Sequence, residues 1–327
     1  MQLTLALPPY PDDRWTLASQ MSVEYAHPHS AMSGDGLGRH ERRRNVPQDY
    51  DELVRLLNAF KHEGLSVPVV GSAGTMGDAT RLGRDGRNEE IEAFCGHIQN
   101  AGAAGIPVVT YSWMTHFWWM RTDERVPLRG GSLSTAYSHA QSERGPEVDV
   151  DADDEDLWEA LKHFLDIVVP VAEKAGVKLA LHPDDPPLSP VRGVPRIIRS
   201  PAAYDRVLEL HPSPSNGISF CVGNFVAMEA DVPAMIRRFS DHIAYAHFRD
   251  VDGSAEEFIE TWHDAGPTDM QAVLKAFVDV GFDGPIRPDH VPTMLGESNE
   301  RPGYEMQGRI FAVGYMRGLL ESMGVEA

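Results

Sequence analysis

Ile286-Arg287-Pro288-Asp289-His290 is an apolar run that ends on an acid and an imidazole, with a proline stopping the strand where those two side chains emerge. Three earlier stretches have the same form. Val177 to His182 closes on a histidine, Gly217 to Cys221 on a cysteine, and Ile243 to His247 on a second histidine. The four closing residues follow one another at intervals of roughly one βα unit. A parallel barrel places such residues side by side, because its chemistry sits at the C-terminal ends of neighbouring strands.

Outward from these runs the alternation continues. Leu3 to Leu7, Val23 to Pro28 (with His27 near its end), Leu65 to Val70 and Ile106 to Tyr111 read as four earlier strands. Tyr50, Leu53, Leu56, Leu57 and Phe60 recur at helical spacing, with Gly64 as the stop. Ile91, Phe94, Cys95 and Ile98 mark another helical face and make Cys95 a buried core thiol. A helix with inner face Leu157, Leu161, Phe164, Leu165 and Val168 should kink or end at Pro170. Ser200 and Pro201 announce the next helix, Met235, Ile236 and Phe239 mark another, and Thr268 with Gln271 predicts a capping box. Phe311, Tyr315, Leu319 and Leu320 form the last helical face. The segment from Met32 to Arg44, with Arg39, Arg42, Arg43 and Arg44, reads as a solvated surface loop. Gly71 to Gly77 lacks the dinucleotide spacing. The aromatics Trp113, Phe117, Trp118 and Trp119 are either core or a loop over a pocket. Eight strands alternating with helices, without repeat or linker, predict one (β/α)8 TIM barrel with long βα loops, spanning 1–327 as a single domain.

Composition excludes several classes of function. Forty-nine acids against 29 Lys and Arg give a net charge of −20, which repels nucleic acid and anionic membranes. No apolar run reaches the roughly 18 residues of a membrane span. Two cysteines, Cys95 and Cys221, make no disulfide framework, and the opening run Met1 to Pro9 lacks a basic n-region. The expectation is a cytoplasmic protein.

Two imidazoles, a thiol and a carboxylate, His182, Cys221, His247 and Asp289, suit zinc, iron, cobalt or manganese. A buried core residue at any one strand end is the ordinary reading; four in register favour a metal. The set of motifs that includes His182-Pro183-Asp184-Asp185-Pro186-Pro187, Asn216 to Gly223, Ala246-His247-Phe248-Arg249, Ile286 to His290 and Arg301-Pro302-Gly303-Tyr304 resembles the mannonate dehydratases, sugar-acid dehydratases of the xylose-isomerase-like barrel superfamily. Fainter likeness extends to Gly83–Glu90 and to Arg121-Thr122-Asp123. The resemblance implies a Mn2+ enzyme (Fe2+, Co2+ or Zn2+ being alternatives) that converts D-mannonate to 2-keto-3-deoxy-D-gluconate. It implies His182, Cys221, His247 and Asp289 as metal ligands, with His290 and Tyr304 handling protons. Arg249 and Arg287 either pair the substrate carboxylate or form structural salt bridges. Asp184 and Asp185 are expected to orient the loop or a ligand histidine. Val291-Pro292 stands where the family has Gly-Arg, and Asp250 where it has Asn. A homo-oligomer acting on a small sugar acid is expected. A sugar isomerase or epimerase on the same metal site is the second reading, and a non-catalytic sugar- or metal-binding protein the third.

Overall fold

The computed structural model describes residues 1–29 and 46–325, so the arginine-rich segment from Met32 to Arg44 lies outside the described residues. The strands are β1 (Gln2–Leu7), β2 (Tyr25–Pro28), β3 (Val69–Gly71), β4 (Val108–Ser112), β5 (Asp123–Pro127), β6 (Leu133–Ser138), β7 (Lys178–His182), β8 (Asn216–Cys221), β9 (Ile243–His247), β10 (Val251–Ser254), β11 (Glu257–Glu260) and β12 (Pro285–Arg287). Eight of them form a parallel sheet in the order β2-β1-β12-β9-β8-β7-β4-β3. A parallel bridge between Tyr25 and Ser66 joins its two ends into a barrel. These are the eight strands expected from the apolar runs. They read as unbroken hydrophobic segments because barrel strands are covered on both faces, by the interior on one side and helices on the other.

Helices Tyr50–His62, Arg87–Ala103, Asp154–Ala175, Pro201–Leu210, Val232–Arg238, Met270–Asp279 and Met306–Ser322 follow successive strands on the outside, with Asp13–Gln20 between β1 and β2. Local chemistry sets most of their ends. Ser200 caps Ala203 N, and Asp153 and Asp156 form a reciprocal capping box at the start of Asp154–Ala175. Three details differ from the sequence expectation. Pro170 neither ends nor divides its helix, which runs on to Ala175; the buried neighbours Val168, Val169 and Ala172 hold that face against the core despite the missing N–H. The cap of Met270–Asp279 is Asp269, whose side chain accepts from Ala272 N, while the Thr268 hydroxyl is spent on Asp250 Oδ1 at 2.6 Å. Cys95 is only half-buried, at the edge of the core.

The loops after β4 and β9 are long, and together they build a second, antiparallel sheet in the order β10-β11-β6-β5. Ile259 pairs with Ala136 and Phe258 with Tyr137. Tyr137, Phe258, Val251 and Ala227 make a small separate core beneath it. Gly253 sits at φ 128 with the Glu257 carbonyl 2.1 Å from where a Cβ would be, so only glycine fits this position of β10, opposite Phe258 of β11. This cap was not expected from the sequence, and it supplies part of the site.

Candidate active site

The parallel register aligns the strand ends. Cys221 is the direct partner of His247, and His247 of Arg287, while His182 ends the adjoining β7. Candidate ligand atoms of His182, Cys221 and His247 all lie within 4.8 Å of one another. The Nδ1 of His182 is held by the Pro183 carbonyl at 2.7 Å, which leaves Nε2 for a cation. Among the described residues neither ring nitrogen of the buried His247 has a hydrogen-bond partner. An orphaned imidazole of this kind beside a buried thiol is what a metal would satisfy.

Protonation follows burial. Burial drives the His182 imidazole down to about 4 and His247 well below its ordinary range, so both are neutral. Burial also pushes the Cys221 thiol up to about 12, against the pull of Arg249. Two neutral imidazoles and a thiol awaiting deprotonation form a donor set that fits a divalent transition metal. Asp289 borders this group. Its Oδ2 is 3.5 Å from His247 Nδ1 and accepts from Arg249 Nε at 3.0 Å, and its Oδ1 is 2.7 Å from Arg287 Nη2. Its backbone is left-handed, φ 52, a conformation that costs a non-glycine residue of order 1–3 kcal/mol and is found where a side chain must be aimed.

His290 and Tyr304 are in contact. The imidazole Nε2 is 3.1 Å from the Tyr304 hydroxyl and Nδ1 is 2.8 Å from Glu260 Oε1. Trp119 meets the His290 ring edge-on at 5.2 Å, so that part of the aromatic segment lies against the site, whereas Trp113 is core. Burial, together with the charge of Asp289, pushes the Tyr304 phenol up to about 12, which keeps its proton in place at neutral pH.

The two arginines separate clearly. Arg249 is spent on the protein: Nε on Asp289, Nη1 on Glu260 at 3.2 Å, and Nη2 on Asp185 at 2.8 Å and Asn224 at 2.6 Å. Among the described residues Arg287 is paired only through Nη2, and its buried Nε and Nη1 have no hydrogen-bond partner there. Asp185 braces Arg121 and Arg249, and Asp184 accepts from Ile198 N at 2.7 Å, so both hold the loop and its cations rather than a ligand imidazole. Val291 is buried against Gly308 of the last helix. The next residue of that helix, Arg309, brings a buried cation to within 5.3 Å of the Tyr304 ring. Asp250, in place of the amide, accepts from Val251 N, Thr268 N and the Thr268 hydroxyl.

Sequence reasoning missed Glu260, and left Arg121, Asn224 and His27 without roles. Glu260 had a faint signal: Phe258 and Glu260 alternate with exposed Glu257 and Ile259, the period of a half-buried strand. Arg121 forms ion pairs with Asp185 and Glu260. His27 Nδ1 lies 3.0 Å from the Tyr245 hydroxyl.

A family model described as D-mannonate dehydratase (UxuA) matches residues 43–150 and 146–326. A mannonate dehydratase of Streptococcus equi subsp. zooepidemicus is 36% identical over 307 residues, covering 83% of this chain and 82% of its own. The crystal structure of a mannonate dehydratase from Streptococcus suis covers 100% of this chain and 95% of its own, with a TM-score of 0.85 at 30% identity. A xylose isomerase domain protein from Planctomyces limnophilus covers 99% and 98%, with a TM-score of 0.60 at 12% identity, a likeness of fold alone.

Proposed function

The chain belongs to the mannonate dehydratase family, and from that premise we propose that it removes water from D-mannonate to give 2-keto-3-deoxy-D-gluconate. The observation that carries the reading is adjacency: His290 and Tyr304, in contact with each other, stand beside the half-buried His182 and the buried Cys221 and His247, whose imidazole has no hydrogen-bond partner among the described residues. His182, Cys221, His247 and Asp289 would hold the metal, Mn2+ in the first instance, with Fe2+, Co2+ or Zn2+ compatible with the same donors. When bound, a divalent cation withdraws charge from substrate oxygens and so makes the proton beside a carboxylate removable.

The chain's own residues supply the rest. Arg287 offers Nε and Nη1 to the substrate carboxylate, since these are donors for which the described residues hold no partner. One member of the His290–Tyr304 pair takes the C2 proton and the other protonates the departing C3 hydroxyl, so water leaves and the enol product becomes the 2-keto acid. The contact between ring nitrogen and phenol lets a proton pass back between them and restores both groups. Trp119, Phe258 and the cap sheet cover His290 and Arg121 and exclude solvent from the proton path. A reduced Cys221 suits the cytoplasm, and a homo-oligomer is the accompanying expectation.

The deciding experiment is a panel of aldonic acids with Mn2+, read for 2-keto acid formation. D-Mannonate should give the fastest turnover. Turnover of a neutral ketose without any 2-keto-3-deoxy product would replace the dehydratase reading by the isomerase one, and metal binding without turnover of any sugar would leave a binding protein.

A further inference from the structure

The sequence leaves open which of His290 and Tyr304 is base and which is acid, and the cap sheet bears on that choice. Glu260 ends β11 and points down to the barrel rim, where its Oε1 lies 2.8 Å from His290 Nδ1. We propose that Glu260 is a positioning residue that fixes the tautomer of His290, so that Nε2 is the bare, proton-accepting nitrogen and Tyr304 the proton donor. The inference rests on the dehydratase reading for the reaction, but not for the geometry.

An ionised carboxylate accepts hydrogen bonds and donates none, so a neutral His290 facing Glu260 must carry its proton on Nδ1. Its Nε2 then presents a lone pair, and the group within reach is the Tyr304 hydroxyl at 3.1 Å; Asp289 Oδ1, at 3.9 Å, is too far to compete. Glu260 is well secured for this task. Arg121 and Arg249 both donate to the same Oε1, and the Ser134 hydroxyl binds the Glu260 carbonyl at 2.8 Å, fixing β11 against β6. Burial by itself would push this carboxyl up, yet the guanidinium groups of Arg249 and Arg121 hold it well below the usual carboxylate range. The arrangement has a chemical consequence. The C2 proton goes to His290 Nε2, the Tyr304 proton goes to the departing hydroxyl, and transfer from Nε2–H to the phenolate oxygen returns both groups to their starting state.

The test uses full-length enzyme labelled with 15N-histidine and loaded with diamagnetic Zn2+, comparing wild type, Glu260→Ala and Glu260→Gln. His290 is assigned by the signals lost in His290→Asn. In wild type the spectrum should show Nδ1 protonated and Nε2 bare, and in Glu260→Ala the proton should move wholly or partly to Nε2. Glu260→Gln should keep the wild-type pattern, because Oε1 makes the bond to His290 and a carbonyl can take its place. In the Mn2+ enzyme, kcat should fall roughly 100-fold in Glu260→Ala with KM and bound metal unchanged, and Glu260→Gln should recover at least about tenfold of that loss. A bare Nδ1 in wild type, an unchanged pattern in Glu260→Ala, or a loss of kcat that only tracks lost metal overturns the proposal. Should Glu260→Ala fail to fold, the wild-type ring and the Gln variant still decide it. Absence of D-mannonate turnover by wild type would overturn the proposed function and leave the nitrogen reading intact.

Discussion

The barrel rim and the cap above it contribute to one site by different routes. The rim gives His182, Cys221, His247 and Asp289 from the ends of parallel strands whose register is set by continuous hydrogen bonding, with Cys221 directly opposite His247. The cap gives Glu260 and Arg121, 139 residues apart, from two loops that meet only in the folded state. A rim residue is placed by its own strand. A cap residue is placed by a pairing between distant loops, here Phe258 with Tyr137 and Ile259 with Ala136. The difference teaches that rim substitutions should remove function with little change in fold, whereas cap substitutions should disturb stability and function together.

The sharpest way to break that contrast is at the rim. Cys221→Ala and His247→Ala should each lose bound metal by elemental analysis and reduce turnover at least ~1000-fold, because each takes one of three donors from the 4.8 Å group, which among the described residues consists of His182, Cys221 and His247. Full metal occupancy in both variants would end the proposed ligand set. Tyr304→Phe comes next. It should keep the metal and the fold, lose kcat by about 100- to 10,000-fold, and change KM little, since the phenyl ring retains the edge contact with His290 while the proton is gone. Substantial turnover by this variant would remove Tyr304 from the reaction.

At the cap, Arg121→Met should show the coupled behaviour. Arg121 is fully buried between Asp185 and Glu260 and lies over the faces of Trp119 and Phe258, each at 4.8 Å. Removing one member of a buried ionic cluster leaves its partners uncompensated and typically costs about 3–5 kcal/mol. Denaturant unfolding should show a loss of that size together with reduced kcat. A stable, fully active variant would mean that the cap only covers the barrel.

The unequal legibility of the two regions has a physical origin. Each barrel strand is an apolar run ending on a chemistry-bearing residue, so Val177 to His182 or Ile243 to His247 announces both its structure and its ligand. The cap strands are four to six residues long and largely polar: Asp-Glu-Arg-Val-Pro in β5 and Glu-Phe-Ile-Glu in β11 have no hydrophobic signature to separate them from loop. Their stability comes from pairing and from Tyr137, Phe258 and Val251 beneath them, which is tertiary information. The same limit explains Arg249. The sequence left a substrate contact and a structural salt bridge equally open for it, and only the folded chain brings Asp289, Glu260, Asp185 and Asn224 around its guanidinium.

The smallest expected effect tests the finest of these differences, at the helix that follows the cap. Thr268 and Gln271 have capping-box spacing, yet the side chain that accepts from the first turn is Asp269, 2.9 Å from Ala272 N, while Thr268 binds Asp250. Asp269→Ala should therefore cost about 1 kcal/mol, the usual value of an N-cap, read as a shift of the urea midpoint with kcat unchanged. Gln271→Ala, which removes the other half of the apparent box, should cost almost nothing by comparison. Thr268→Val should behave differently from either, because it takes one of three donors, the Thr268 hydroxyl at 2.6 Å, from the buried Asp250 carboxylate and leaves only the two backbone N–H groups, and its cost should exceed that of Asp269→Ala. The order Thr268, Asp269, Gln271 is what the structure requires. A capping box would instead make Gln271 matter and leave Asp269 silent.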